Sequence, residues 1–321
     1  MGEKMTSSTA HYSVMRDRCI ELLAPAILTS SNPLIVDATL GLGGHTEALL
    51  KAFPNLTVIG IDRDQSAIDS ATTRLSIYKD RLKTAHTTFD RIGEVVQSFG
   101  YTEITGALFD LGVSSMQLDE ANRGFSYSHE APLDMRMDVT QSLTAQEIVN
   151  TYEPGQLVRI LRSYGEEKFA TRIVESIVKA RAKNPLNSTI ELAALVKESI
   201  PAATRRTGGN PAKRTFQAIR IETNDELGTI TRALPIALNL LSVGARLVVM
   251  SFQSLEDRIV KELFVASTTS GTPRNFPFEL PEFAAKFALV TRGGETPSQS
   301  ELDENSRSAS VRLRAIEKVA A

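Results

Sequence analysis

The chain has one cysteine, Cys19, in 321 residues. That excludes an intramolecular disulfide, leaves no thiolate metal-ligand spacing, and suits a reducing compartment. No run of about 18 apolar residues is present that could span a bilayer, and Met1–Ala10 lacks the apolar stretch of a secretory signal. A cytoplasmic globular protein with no membrane association is expected. Histidine is scarce too. His86 and His129 have no Cys or Asp at ligand spacing, His11 precedes the first helix, and His45 lies in a glycine-rich turn, so no metal site is expected. Neither a Gly-x-Ser-x-Gly elbow nor a G-x-x-x-x-G-K-[ST] loop occurs. Acyl transfer and nucleotide hydrolysis therefore have no visible machinery.

What is present is an ordinary hydrophobic fraction of 42%, enough for a sizeable core, and a length that suggests two domains. The net charge of −2 conceals an asymmetry. Gly155–Ile221 holds 13 Lys and Arg against 5 Glu and no Asp, which is +8 and leaves the remainder at −10. Such a division suits a face for a polyanion; a solvated helical surface would give the same count.

Apolar runs alternate with helical spacing over the first third. Leu34–Leu40, Thr57–Asp62, Leu82–Thr87 and Ile104–Leu111 read as strands, with helices at Thr46–Phe53, Gln65–Ile77 and Ile92–Phe99. After Ser115 only helical spacing appears, at Ala145–Thr151, Gly155–Tyr164, Glu166–Ala182 and Ile190–Ile200, with Thr144–Glu147 as a possible capping box. Strand patterning resumes after a helix at Phe216–Leu241, with Arg246–Phe252, Phe287–Thr291 and Val311–Ile316. The last two strands have no helix between them, which predicts an antiparallel edge. The fold expected is α/β, a Rossmann-like methyltransferase sheet with an antiparallel edge strand and an inserted helical domain. Residues 1–115 and 214–321 would form the sheet domain and 116–213 the substrate-binding insertion.

The first strand turns through Gly41-Leu-Gly43-Gly44-His45, followed by Thr46 where a dinucleotide fingerprint has its third glycine. A helix N-terminus behind such a turn suits an anion smaller than a pyrophosphate, such as an amino-acid carboxylate. Asp62 ends the second strand, where an acid can accept ribose hydroxyls. Asp110 ends the fourth, at the switch point of such sheets, where a carboxylate can orient an exocyclic amine and absorb charge as a methyl arrives. Phe89, after the third strand, is placed to stack on a base.

These stretches resemble the bacterial 16S ribosomal RNA (cytosine-N4)-methyltransferases. The likeness runs through Thr39–Thr46, Gly60–Asp64, Asp110–Ser115, Arg123–Ser126, Pro132–Asp138, Tyr164–Glu167, Arg214–Arg220 and Ser254–Arg258, in that family's order. The Leu-Asp-Met-Arg-Met-Asp and Arg-Thr-Phe-Gln-Ala stretches are its most specific marks. The resemblance implies S-adenosyl-L-methionine contacts at Gly43, Gly44, His45, Asp62, Phe89, Asp110 and Gln117, with Asp110 catalytic. It also implies methylation of a cytosine N4 amine in the decoding region of small-subunit RNA, and ribosomal RNA or the small subunit as partner. Substrate contacts are expected at Asp134, Arg136, Arg205, Arg206 and Arg214. The pattern leaves monomer and dimer open. Two positions depart from it: Gln253 stands where the family usually has His, and Met116 where it has proline. A DNA amino-methyltransferase would carry a Pro-Pro-Tyr type motif where this chain has Asp110-Leu-Gly-Val. A non-catalytic RNA-binding assembly factor would have no need of Gly43, Gly44, Asp62 and Asp110 together.

Overall fold

The computed structural model describes residues 13–114, 120–202, 210–273, 276–278, 280–304 and 306–321; His11, Met116, Gln117, Arg205 and Arg206 lie outside them. The chain divides into two compact units, Met1–Leu111 with Ile230–Ala321, and Gly112–Thr229.

In the first unit seven strands form one sheet in the order β3-β2-β1-β4-β5-β7-β6. β1 (Leu34–Asp37), β2 (Thr57–Asp62), β3 (Leu82–His86), β4 (Ile104–Asp110) and β5 (Leu241–Ser251) run parallel. β7 (Arg312–Lys318) is antiparallel to both β5 and the edge strand β6 (Phe287–Leu289). Leu34, Ile35 and Val36 are at most 2% exposed, as expected of a central strand covered on both faces. Helix α1 (Arg16–Thr29) buries Cys19, Leu22, Leu23 and Ile27 in a cluster with Leu108 and Met250. Helices α2 (Gly44–Ala52), α3 (Gln65–Arg74) and α4 (Ile92–Ser98) follow β1, β2 and β3. Strand order reverses between β1 and β4, so their carboxyl ends flank the switch point.

The second unit holds helices α5 (Ala145–Thr151), α6 (Pro154–Gly165), α7 (Ala170–Arg181), α8 (Thr189–Ser199) and α9 (Lys213–Asn224). Ile148, Leu157, Leu161, Ile173, Ile177, Leu192, Phe216 and Ile219 close one core. Thr144 caps α5 by accepting the Glu147 N–H at 3.1 Å, and Ser188 and Glu191 form a reciprocal box at the start of α8.

Four expectations are corrected. The single helix expected over Phe216–Leu241 is two, α9 and α10 (Glu226–Leu240), because Asp225 turns left-handed at φ 48°. The sheet domain does not resume at 214. Helix α9 belongs to the helical unit, where Phe216 enters the core and Gln217 Nε2 donates to Tyr164 O at 3.0 Å. Glu166 is no part of α7: it ends α6 in a left-handed turn at φ 48°. Helices α11 (Ser254–Ser267) and α12 (Gln299–Glu304) complete the first unit, and α12 lies between β6 and β7, where no helix was expected. No described helix is long and apolar enough to cross a membrane.

Candidate active site

The carboxyl end of the sheet gathers Asp37, Asp62 and Asp110, none of which pairs with a Lys or Arg among the described residues. Asp37 ends β1 at 1% exposure, accepting the Thr46 hydroxyl at 2.6 Å and the Thr39 N–H at 3.3 Å. Burial pushes its carboxyl above the ordinary range, against the Thr46 bond. The turn between β1 and α2 is thereby tied down from inside. Thr39 Oγ1 in turn accepts the Asp110 N–H at 2.7 Å, joining the turn to β4. Gly43 caps α2 at φ 77°, and a Cβ there would stand 2.7 Å from Leu75 Cδ1. Only glycine suits that position. A Cβ on Gly44 would collide with Ser13 Oγ.

Asp62, at the end of β2, holds the same turn: its two oxygens accept the Gly41 N–H at 2.7 Å and the Asp64 N–H at 2.9 Å. Burial pushes it up to about 6, against those two bonds and with added push from Asp64 and Asp37. Each carboxylate oxygen has a second lone pair to offer. Asp64 caps α3 through the Ser66 N–H. Phe89 follows β3 and meets Phe109 edge-on, centroids 5.5 Å apart.

Asp110 ends β4. Burial pushes its carboxyl up to about 6, against the pull of His45 and with a further push from Asp37. His45 Nε2 donates to Val14 O at 2.9 Å, and its Nδ1 stands 3.8 Å from Asp110 Oδ2. Asp110 Oδ1 is buried and accepts nothing from the described protein. The structure thus brings Gly43, Gly44, His45, Asp62 and Asp110 to one end of the sheet. Asp37 and Thr39 belong with them, and the sequence reading missed both. The available signal was an acid at the end of an apolar run, followed one turn into the next helix by a hydroxyl at Thr46.

The proposed substrate residues in the helical unit present another picture. Asp134 and Arg136 bind each other through two bonds of 2.8 Å, and Arg136 Nη1 donates to Val139 O and Gln141 O. Although burial pushes Asp134 up, the Arg136 guanidinium and N–H hold it below the usual carboxylate range. Arg214 is exposed and donates to Glu166 O at 3.1 Å. Arg159, Arg162, Lys168, Arg172, Lys179, Lys183, Lys197 and Lys213 are exposed as well. Arg181 and Arg220 are engaged with the Val149 and Tyr152 carbonyls and with Glu226.

Five parallel strands, a glycine turn after the first and acids at the ends of β2 and β4 define an α/β protein of the kind that binds its ligand at the carboxyl end of the sheet. The chain matches the model of the MraW methylase family over residues 8–319 and belongs to that family. Proteins named ribosomal RNA small subunit methyltransferase H are similar along almost its full length. That of Mycolicibacterium smegmatis is 55% identical over 96% of this chain and 84% of the relative. That of Saccharopolyspora erythraea is 53% identical over 96% and 93%. That of Renibacterium salmoninarum is 51% identical over 96% and 95%.

Proposed function

We propose that this chain is an S-adenosylmethionine-dependent methyltransferase acting on the N4 amine of a cytosine in the decoding region of small-subunit ribosomal RNA. The observation that carries this reading is Asp110: a strand-end carboxylate at the switch point, partly open to solvent, whose buried Oδ1 accepts nothing from the described protein. Membership of a methylase family supports it, as do the relatives' names.

The residues fit the cofactor. Asp37, Asp62 and Asp110 crowd one rim and burial raises all three, so a cationic ligand relieves them. When bound, S-adenosylmethionine supplies an electrophilic methyl group on a positively charged sulfur. Asp62 accepts the ribose hydroxyls, the turn at Gly43, Gly44 and His45 with the start of α2 receives the carboxylate, and Phe89 packs on the base. Gln117 completes the set. Asp110 accepts one N–H of the cytosine amine and turns its lone pair toward the methyl. As the N–C bond formed and the methyl–sulfur bond broke, its electron pair leaving with a neutral thioether, the carboxylate would stabilise the charge growing on nitrogen and then take the amine proton. The exposed bases of the helical unit, with Arg205 and Arg206, hold the RNA backbone.

Nucleoside mass spectrometry of small-subunit RNA from cells with and without the gene tests this reading. N4-methylcytidine should be lost with the gene and return with the parent chain but not with Asp110→Asn. An unchanged content of that nucleoside contradicts it.

A further inference from the structure

At the carboxyl end of β5, Glu256 is 1% exposed and gathers three donors. It accepts the Phe252 N–H at 2.8 Å, the Gln253 N–H at 3.2 Å and Gln253 Nε2 at 2.9 Å. With Nε2 taken by a carboxylate, the Gln253 amide is held one way round. Its Oε1 is buried and faces the Glu256 backbone N–H in a capping box, but makes no well-formed hydrogen bond within the described protein. On the neighbouring strand Asp110 Oδ1 is likewise buried without such a bond. Asp110 pairs in register with Met250, so Gln253 follows three residues beyond that partner, just past the end of β5. Two buried acceptors without a well-formed bond on one rim are costly to folding, and the matching ligand is one that donates twice.

A primary aromatic amine carries two N–H groups in the plane of its ring, and Asp110 meets only one. We propose that Gln253 Oε1 accepts the second N–H of the target amine, so that Gln253 is a substrate-positioning residue whose orientation Glu256 sets. This rests on the function proposed above and adds a cause for base choice. A uracil presents a carbonyl oxygen at the same ring position, which two acceptors repel, so the pair selects cytosine. No bond to Gln253 forms or breaks; the amine proton leaves to Asp110. A neutral imidazole offers the same two faces, one N–H for Glu256 and one lone pair for the substrate, but loses the lone pair on protonation. Gln253 keeps its acceptor at every pH.

The test is single-turnover methylation of small-subunit RNA at saturating cofactor, with cofactor affinity measured by calorimetry. The parent, Gln253→Leu and Gln253→His are compared across pH. For Gln253→Leu the rate should fall about tenfold or more, with the KM for RNA and the cofactor affinity near parental. Gln253→His should approach the parental rate at alkaline pH and lose it through an added ionisation near or above about 6.5. Its acid limb should be steeper than the parent's. Gln253→Leu turning over at the parental rate, or Gln253→His with the parental profile, overturns the proposal. If the leucine variant does not fold, the histidine profile decides alone. A parent that transfers no methyl to cytosine N4 sinks the functional reading and this proposal together; an active parent beside an unimpaired leucine variant sinks only the latter.

Discussion

The rim of the sheet and the loop before α5 both carry aspartates, and they treat them in opposite ways. At the rim, Asp37 is buried and Asp62 and Asp110 are half-buried beside hydroxyls, amides and one imidazole, and all three are raised. In the loop, Asp134 is clamped by Arg136 and held low. The clamp spans Met135, which is fully buried in a left-handed turn at φ 58°. Asn224 grips both sides of it, donating to Met135 O at 2.7 Å and accepting the Met137 N–H at 2.8 Å. Gly124 lies so near that a Cβ there would strike Pro132 O. The stretch that marks the family most sharply therefore builds the helical unit, by satisfying its charges. The chemistry belongs where charges are left for a ligand to satisfy.

The largest expected effect comes from removing rim charge at Asp110. Asp110→Asn keeps the shape and should slow single-turnover methyl transfer by a hundredfold or so, with cofactor affinity less affected. Asp62→Ala removes the acceptor for the ribose hydroxyls and also frees the Gly41 N–H. Calorimetry should show cofactor binding weaker by about 1.5–3 kcal/mol. Unchanged affinity in the folded variant would make Asp62 a turn anchor alone.

Acid titration of the free protein sharpens the contrast further. Asp62 and Asp110 sit near 6 when folded, above the unfolded carboxylate value of about 3.9. The folded state thus binds more protons between those values, and these groups raise stability as pH falls from about 7 toward 5. Asp134 acts with the opposite sign. Its contribution is full above the ordinary carboxylate range and is lost as pH drops below about 4. Melting curves should show a maximum on the acid side of neutrality that moves up in pH when saturating cofactor holds the rim ionised. The smallest effect is expected from Arg205→Ala with Arg206→Ala. RNA binding should weaken and its log–log salt slope flatten by up to about 0.7 per lost single-strand phosphate contact, with cofactor affinity unchanged. Superimposed salt lines would contradict a role for this pair in holding RNA.

The strands were legible because β1, β2 and β4 are buried runs bounded by turns, and Asp62 and Asp110 because they end such runs. The break at Asp225 was hidden, since no glycine or proline marks it and helical spacing continues across it. The place of α9 was hidden for a related reason. Phe216 and Ile219 are apolar at helical spacing, but only tertiary packing says which core they enter. Glu256 reads as an ordinary acid in a first helical turn; that it fixes Gln253 depends on burial, which spacing does not encode.

The most direct test sets Asp110→Asn beside Asp134→Asn, measuring melting temperature and single-turnover rate at pH 7 for each. Asp110→Asn should lose about a hundredfold in rate while melting at or above the parental temperature, because a largely desolvated carboxylate with no Lys or Arg partner among the described residues has been neutralised. Asp134→Asn should melt lower, by several degrees for a loss of roughly 1–3 kcal/mol, while turning over near the parental rate at saturating RNA. The reverse pattern, a destabilised Asp110→Asn at full rate beside a stable but inactive Asp134→Asn, would contradict the account.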